Sequence, residues 1–522
     1  MFHTLASLAR LARAGFTLAR YDAIFPREYQ EKFPPALKAF AGFTRLISRR
    51  GEADNPGERL ARALEKLGPS YVKFGQVLAT RSDIVGERFA RGLSRLQDQM
   101  PAFDQEVAIA TLEKELGGAL ADHFTEFGKP LNAASVAQVH RATTIEGEDV
   151  AVKILRPGIE RRLARDIRAM QLGAALVQRF VPASKRLEPV KFVDTVARAT
   201  ELETDLRLEA AAASELAEAA ALADNFRVPE IDWARSSRRI LTTSWIKGIP
   251  LTDPDRLDEA GIDREALANT LTRAFLTTAM EAGVFHADMH AGNLFADTDG
   301  NLWAVDFGIM GRIGRNERRF LALILHGFLT RDYKAAAEAH FDAGYVPGRH
   351  SIDDFASALR AVGEPIFGKS ADEVPMSRVL LQLFEITDLF DMHLRPELVM
   401  LQKTMVQSEG VARQLNPQHD MWQASAPVVE KWMKRELGPE GLALDLLEDF
   451  NRLRSSARKI PGMIEDWAEA GSRLRSGEVR LDDNSLDRLA GRDRQSRPWR
   501  WLGYGLLALA AGAAGASLIQ LV

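Results

Sequence analysis

The sequence predicts an α+β protein of two lobes, a small strand-rich lobe followed by a larger helical one. Three observations carry that prediction. Runs of β-forming residues cluster in one stretch, at 136–144, at 149–155 across a Glu146-Gly147 turn, and at 239–246. One long Ala/Glu-rich helix, 194–222, is expected among them. Beyond Asp255 the periodicity is helical, interrupted by the loop HADMHAGN and a strand at 302–306. The 522 residues are enough for roughly two to four units, each with a core of its own.

Up to Leu116 the pattern is helical, punctuated by Pro34-Pro35, Gly68-Pro69 and Pro101. The N-terminus, MFHTLASLARLARAGFTLARYDAIF, interleaves Arg10, Arg13 and Arg20 with Leu and Phe, which breaks the apolar centre a signal peptide needs. It reads either as an amphipathic helix lying on anionic lipid or as one packed on its own domain. Further on, Arg395-Pro396 opens a helix that Asn416-Pro417 closes. The domain boundaries that follow are a helical extension at 1–117, the strand-rich lobe at 118–247, and the helical lobe with its extension at 248–471. A polar, aperiodic linker at 472–500 leads to an apolar segment at 501–522. No period of about 20 to 50 residues repeats, so a solenoid is not expected.

Composition is ordinary for a globular protein, with 27% charged and 46% hydrophobic residues. A net charge of -4 gives no basis for nucleic-acid binding. The absence of cysteine excludes disulfides, thiolate catalysis and cysteine-ligated metals, as expected of a body facing the cytoplasm. The segment 501–522 is uncharged and rich in Leu, Ala and Gly, and as a helix it would reach about 33 Å, enough for one bilayer crossing. A buried hydrophobic helix is the alternative. Trp499 and Trp501 at its entry suit an aromatic belt, and Arg492, Arg494, Arg497 and Arg500 would keep the body on the cytoplasmic side of the inner membrane. Within the segment, Gly512 and Ala516, or Ala508 and Gly512, have the small-xxx-small spacing of closely packed membrane helices. A homodimer is one of the partner expectations.

The chemistry is written in spaced polar residues. Asp288 and Asn293 lie five apart in HADMHAGNLF, and Asp306 follows in VDFG. Phosphoryl transfer in a protein-kinase-like fold uses an Asp to orient the nucleophile, an Asn five residues on to hold a metal ion, and a DFG Asp on the metal bridging the phosphates. Val150, Ala151, Val152 and Lys153 supply the upstream lysine, at the end of the second strand of a hairpin where its ammonium could reach phosphates. Glu209 on the long helix is its expected charge partner. Each residue alone would read as a surface charge or a polar turn; their joint order argues otherwise. His286 and His290 flank Asp288 and admit a metal-hydrolase reading, but no further His/Asp cluster completes a ligand set.

Upstream of Lys153, where a protein kinase carries a Gly-rich loop, stand Asn132, Ala133, Ala134, Ser135, Val136, Ala137, Gln138, Val139 and His140. Alanine does not readily take the positive φ that folds glycine N–H groups around phosphates, so this loop should be stiffer and its grip on a nucleotide altered. After Asp306 the chain reaches Gly311, Arg312 and Ile313, and a helix from about Glu317 follows almost at once. No long activation segment is present to dock a peptide substrate.

NAASVAQVH, AVK, HADMHAGN and VDFG, with LGPSYVKFGQVLATRSDI upstream, resemble the UbiB family of atypical kinase-like ATPases. The resemblance covers about residues 60–415. It implies that Lys73, Phe74, Gly75 and Gln76 form a KxGQ motif on a helical extension over the site, meeting an ExD motif made of Glu203, Thr204 and Asp205. On a continuous helix Asp205 and Glu209 would share a face, and Lys153, Lys73 and Mg²⁺ would balance the acids. Lys73, Gln76, Glu203 and Asp205 are then gating residues. Met289 and Ala291 stand where the family has prolines, and Ser244 stands before Trp245 where the family usually has glutamate at the hinge. Many bacterial relatives end in two membrane spans, against one expected here.

The expectation is therefore a membrane-anchored, kinase-like ATPase using ATP and Mg²⁺ in support of ubiquinone biosynthesis. Its partners would be membrane lipids, quinone precursors and other enzymes of that route. Asp288, Lys153 and Glu209 would be catalytic and Asn293 and Asp306 would hold metal. Ala133, Ala134, Ser135, Val136, Ala137, Gln138, Lys153 and Trp245 would contact the nucleotide. A phosphotransferase acting on a protein or a small alcohol, and a non-catalytic nucleotide-binding scaffold, are the rival readings.

Overall fold

The computed structural model describes residues 2–23, 55–79, 100–180, 188–365 and 396–436, with positions 89, 92, 93, 96, 382, 385–387 and 389–392 between them. The linker at 472–500 and the apolar segment at 501–522 lie outside the described residues, as does part of the helical extension before them. Among the described residues no helix is long and apolar enough to cross a membrane. The described residues divide into two compact units, one within 1–213 and 230–245, the other within 214–229 and 246–436.

The first unit holds the strand-rich lobe and the N-terminal helices. Strands β1 (Phe124–Ala133), β2 (Ala137–Thr144), β3 (Asp149–Leu155) and β5 (Ile240–Ser244) form one antiparallel sheet in that order. The β-runs expected at 136–144, 149–155 and 239–246 are all present, and β1 is an addition. In β3, Val150, Val152 and Ile154 are buried with Ala108 and Leu112 of helix α4 (Gln105–Leu116). The pleat therefore turns Lys153 to the opposite face.

Helix α1 (Phe2–Arg20) packs on this unit, with Leu11, Ala14 and Leu18 buried and Arg10 donating to Asp166 of helix α5 (Ile159–Phe180) at 2.8 Å. That decides the N-terminal alternative in favour of packing on its own domain. Helices α2 (Pro56–Leu67) and α3 (Pro69–Ala79) meet at Gly68, whose φ of 108 is a left-handed conformation that glycine adopts without strain. Asn55 caps α2 by accepting from the Gly57 N–H. At Gly75 of α3 a Cβ would come within 2.4 Å of a Leu96 methyl and 2.6 Å of a Leu64 methyl. The KxGQ glycine is there to let these helices close on each other.

Two expectations need correction. The lobe does not hold one long helix, because α5 precedes the predicted one. The predicted helix 194–222 is itself two, α6 (Pro189–Glu203) and the segment α7 (Leu206–Ala220). The break falls at Thr204-Asp205, where the Thr204 hydroxyl donates to Glu201 O and Asp205 Oδ1 accepts from the Arg207 N–H. Side chains of Thr and Asp compete with the helix ladder in this way. Asp205 is accordingly at the start of α7, and does not share a helical face with Glu209.

The second unit is mostly helical. Short strands β4 (Phe226–Arg227), β9 (Leu302–Ala304), β8 (Leu294–Ala296) and β6 (Ile249–Pro250) make one sheet, and β10 (Met310–Arg312) pairs antiparallel with β7 (Val284–His286). Helix α9 (Arg264–Thr277) runs into a π turn, Thr278–Ala282, which ends at Gly283 just before β7. Carbonyls loosened there are recaptured: Arg318 donates to Met280 O and Glu281 O, and the Trp432 indole donates to Met280 O at 3.0 Å. Helix α10 (Arg315–Leu329) starts nine residues after Asp306, so the short connection expected after VDFG is present. Helix α13 (Pro396–Leu415) keeps the predicted limits, and Asn416 closes it by accepting from the Gln418 N–H.

Candidate phosphate and metal site

In the first unit Lys153 Nζ donates to Glu209 Oε1 at 2.6 Å, and both side chains are largely withdrawn from solvent. Glu209 lies in the first turn of α7, where the helix dipole favours a carboxylate. The pair joins strand to helix over 56 residues of chain and holds the ammonium in one place. Lys73 Nζ lies 2.7 Å from Glu203 Oε1, so the KxGQ lysine and the ExD glutamate are partners. Asp205 instead pairs with Arg207, whose hydrogen bonds hold its carboxyl below the usual range. Gln76 is half-buried on α3.

The Ala-rich turn between β1 and β2 is closed by its own bonds. Ala134 N–H donates to Ala137 O, Met100 N–H to Ala133 O, and Arg156 to both Ala134 O and Val136 O. No residue from Asn132 to Gln138 has positive φ, as alanine chemistry predicts. Ser135 and Ala137 are buried. Gln138 is fully buried: its Oε1 accepts from the Phe103 N–H at 2.9 Å and its Nε2 donates to Phe103 O, so its side chain ties the chain before α4 to β2. At the end of β5, Ser244 N–H donates to Glu230 O and Ser244 Oγ accepts from the Glu230 N–H. Trp245 N–H donates to Asp149 O, and Arg141 lies over its ring at 5.1 Å.

In the second unit the loop after β7 is built around Asp288. His286 is buried, accepts from the Asp288 N–H through Nδ1 and donates from Nε2 to Val305 O at 3.0 Å. Both ring nitrogens are thus committed, and burial, opposed by the bond to Val305 and by the nearby aspartates, pushes the imidazole pKa down. His286 is a neutral brace, which removes the basis of the hydrolase reading. Among the described residues no cluster of three His, Cys, Asp or Glu could hold a metal. His290 accepts from the Gly292 N–H and caps the short turn Ala291–Asn293.

Asn293 Nδ2 donates to Asp288 O at 3.1 Å, leaving Oδ1 as the end of the amide that can ligate a cation. The Val305 N–H donates to Asn293 O at 2.9 Å, which brings Asn293 beside the residue preceding Asp306. Asp306 has φ of 62, a left-handed conformation to which Asp is better suited than most residues. Its neighbour Phe307 is buried with its ring 5.8 Å from that of His286. Gly311 fits against Phe285, whose ring a Cβ would meet at 2.1 Å, and so lets β10 lie on β7. An amide oxygen and a carboxylate are hard donors, suited to Mg²⁺ shared with phosphate oxygens.

One participant has no local sequence signal. Gln407 on α13 donates from Nε2 to Asp288 Oδ1 at 3.1 Å, across 119 residues.

Comparison with known proteins shows the family. Residues 95–340 match the ABC1 atypical kinase-like domain, and residues 359–420 match the UbiB helical domain. A protein named "Probable protein kinase UbiB" from Marinobacter nauticus is 36% identical, covering 99% of this chain and 94% of its own length. Proteins of the same name from Xanthomonas campestris pv. campestris and Pseudomonas entomophila are 35% and 34% identical, covering 97% and 98% of this chain and 93% and 96% of their own lengths. Among solved structures, the Rv3197–erythromycin complex from Mycobacterium tuberculosis aligns with a TM-score of 0.50 at 25% identity, covering 69% of this chain and 92% of that one.

Proposed function

The chain belongs to the UbiB family of ABC1 atypical kinase-like proteins, and from that premise we propose that it is a membrane-anchored kinase-like ATPase supporting ubiquinone biosynthesis. It acts on lipid-like quinone precursors or on the enzymes that modify them. The observation that carries the ATPase half is the Lys153–Glu209 pair at 2.6 Å, an ammonium fixed on a strand by a helix carboxylate. Lys153 engages the phosphates of ATP, Glu209 positions Lys153, and Asp288 orients the nucleophile. Asn293 and Asp306 would hold Mg²⁺, which supplies charge neutralisation for the phosphates when bound. The Ala-rich turn and the backbone around Trp245 face the nucleotide, and Lys73, Gln76, Glu203 and Asp205 gate access. The segment 501–522 holds the cytoplasmic body at the inner membrane.

Hydrolysis is favoured over peptide phosphorylation because α10 follows Asp306 so closely, leaving no long segment on which a peptide could dock. Incubation of the protein with γ-labelled ATP and membrane extract separates the readings. Free labelled phosphate alone supports the ATPase, whereas a stable labelled acceptor replaces it with a phosphotransferase. Quinone profiling of a strain lacking the chain tests the biological half: an early prenylated phenol should accumulate, and an unchanged profile removes that half. If Asp288→Asn and Asp306→Asn proteins restore normal quinone levels, the role is that of a scaffold.

A further inference from the structure

Resting on the ATPase reading, we propose that Gln407 is a positioning residue for the reaction, fixing the Asp288 carboxylate from the helical domain. An ionised carboxylate only accepts, so the bond to Asp288 Oδ1 obliges the amide to present Nε2. That orientation sends Oε1 the other way, where it is buried and meets no donor among the described residues. A glutamine retained for packing would be expected to satisfy both ends of its amide, and an unmet buried acceptor costs stability. Its helical neighbours behave ordinarily: Thr404 and Ser408 donate to the carbonyls of Met400 and Met405 on their own helix. Gln407 instead spends its donor on a residue 119 positions away and leaves its acceptor unmet.

The need for such a constraint is visible at Asp288. Its main chain is held by three bonds, from its N–H to His286 Nδ1 and to its carbonyl from the His290 N–H and from Asn293 Nδ2. None of them sets the side-chain torsion. Gln407 does so by holding Oδ1, which leaves Oδ2 to face the nucleophile; His290 Nε2 is 3.8 Å from Oδ2, beyond hydrogen-bond reach. The helix that carries Gln407 lies within the stretch matching the UbiB helical domain, so that domain contributes directly to the geometry of the catalytic loop.

The test compares the full chain with Gln407→Met and Gln407→Asn in ATP hydrolysis and thermal unfolding. Methionine keeps the volume and removes both amide ends; asparagine keeps the amide but falls short of Asp288. Loss of the fixed orientation should lower kcat about 10- to 100-fold in both, with the KM for ATP little changed. The Tm of Gln407→Met should stay level or rise, because the unmet acceptor goes with the amide. In an Asp288→Asn background the same substitution should add no further loss. A Gln407→Met protein with undiminished kcat, or one whose loss follows a fall in Tm and multiplies with Asp288→Asn, overturns the role. A wild-type chain that does not hydrolyse ATP overturns the ATPase reading and this role with it, whereas an active wild type with an unaffected variant overturns this role alone.

Discussion

At Lys153 the alternation of a single strand decides the chemistry. Val152 and Ile154 go into the core, so the lysine between them leaves by the other face and meets Glu209. Replacing Glu209 by Gln keeps the shape and removes the charge partner of a largely buried ammonium. We expect a stability loss of about 1–3 kcal/mol and an ATPase rate lower by roughly 10- to 100-fold, read by urea unfolding and steady-state kinetics. A second residue-scale prediction concerns Glu409, two positions from Gln407. Burial pushes its carboxyl up to about 7 from an ordinary 4.5, with Arg413 opposing the shift. A group with a raised folded pKa contributes stability below about 4.5 that is lost as pH rises through about 7. Glu409→Gln should therefore flatten the fall in Tm between those values and stabilise the protein by roughly 1–3 kcal/mol at pH 8. Residues whose chemistry demands fixed spacing, Asp288, Asn293 and Asp306, could be picked out in the sequence. Gln407 could not, because its partner is 119 positions away and nothing in its neighbours marks the contact.

Among the elements, β2, β3, β5 and α13 followed from local pattern, since alternation and the Asn416-Pro417 stop are short-range signals. Strand β1 did not: it contains Gly128 and Pro130, is mostly exposed, and pairs with β2 through several register shifts. The break between α6 and α7 was hidden because Ala- and Glu-rich sequence on both sides reads as continuous helix, while side-chain bonds at Thr204 and Asp205 end it. The extension was legible as a motif but not as packing. Gly75 had a place in KxGQ, and its reason is the close approach of Leu64 and Leu96. Gly75→Val should cost about 1–3 kcal/mol by overpacking. The check is the urea midpoint, which should fall even when Lys73 and Glu203 are intact; an unchanged midpoint would mean the helices part without cost.

For the whole molecule, two compact units carry the two sets of residues proposed for the phosphate site, Lys153 and Glu209 in one and Asp288, Asn293 and Asp306 in the other. The order of the motifs along the chain made the two-lobed reading legible, while the number of helices in the first unit was not, because tertiary packing rather than periodicity sets it. Membrane attachment is argued from 501–522 alone. A chain ending before residue 501 should move from the membrane pellet to the supernatant on cell fractionation, and retention in the pellet would assign attachment to other residues. The claim on which the account depends is that Lys153 and Asp306 are each required for the binding of Mg-ATP. The most direct measurement is the Tm shift produced by ATP, with and without Mg²⁺, in the wild type, Lys153→Met and Asp306→Asn. The account predicts a Mg²⁺-dependent rise in the wild type that is lost in both variants; a rise of equal size in all three would contradict it.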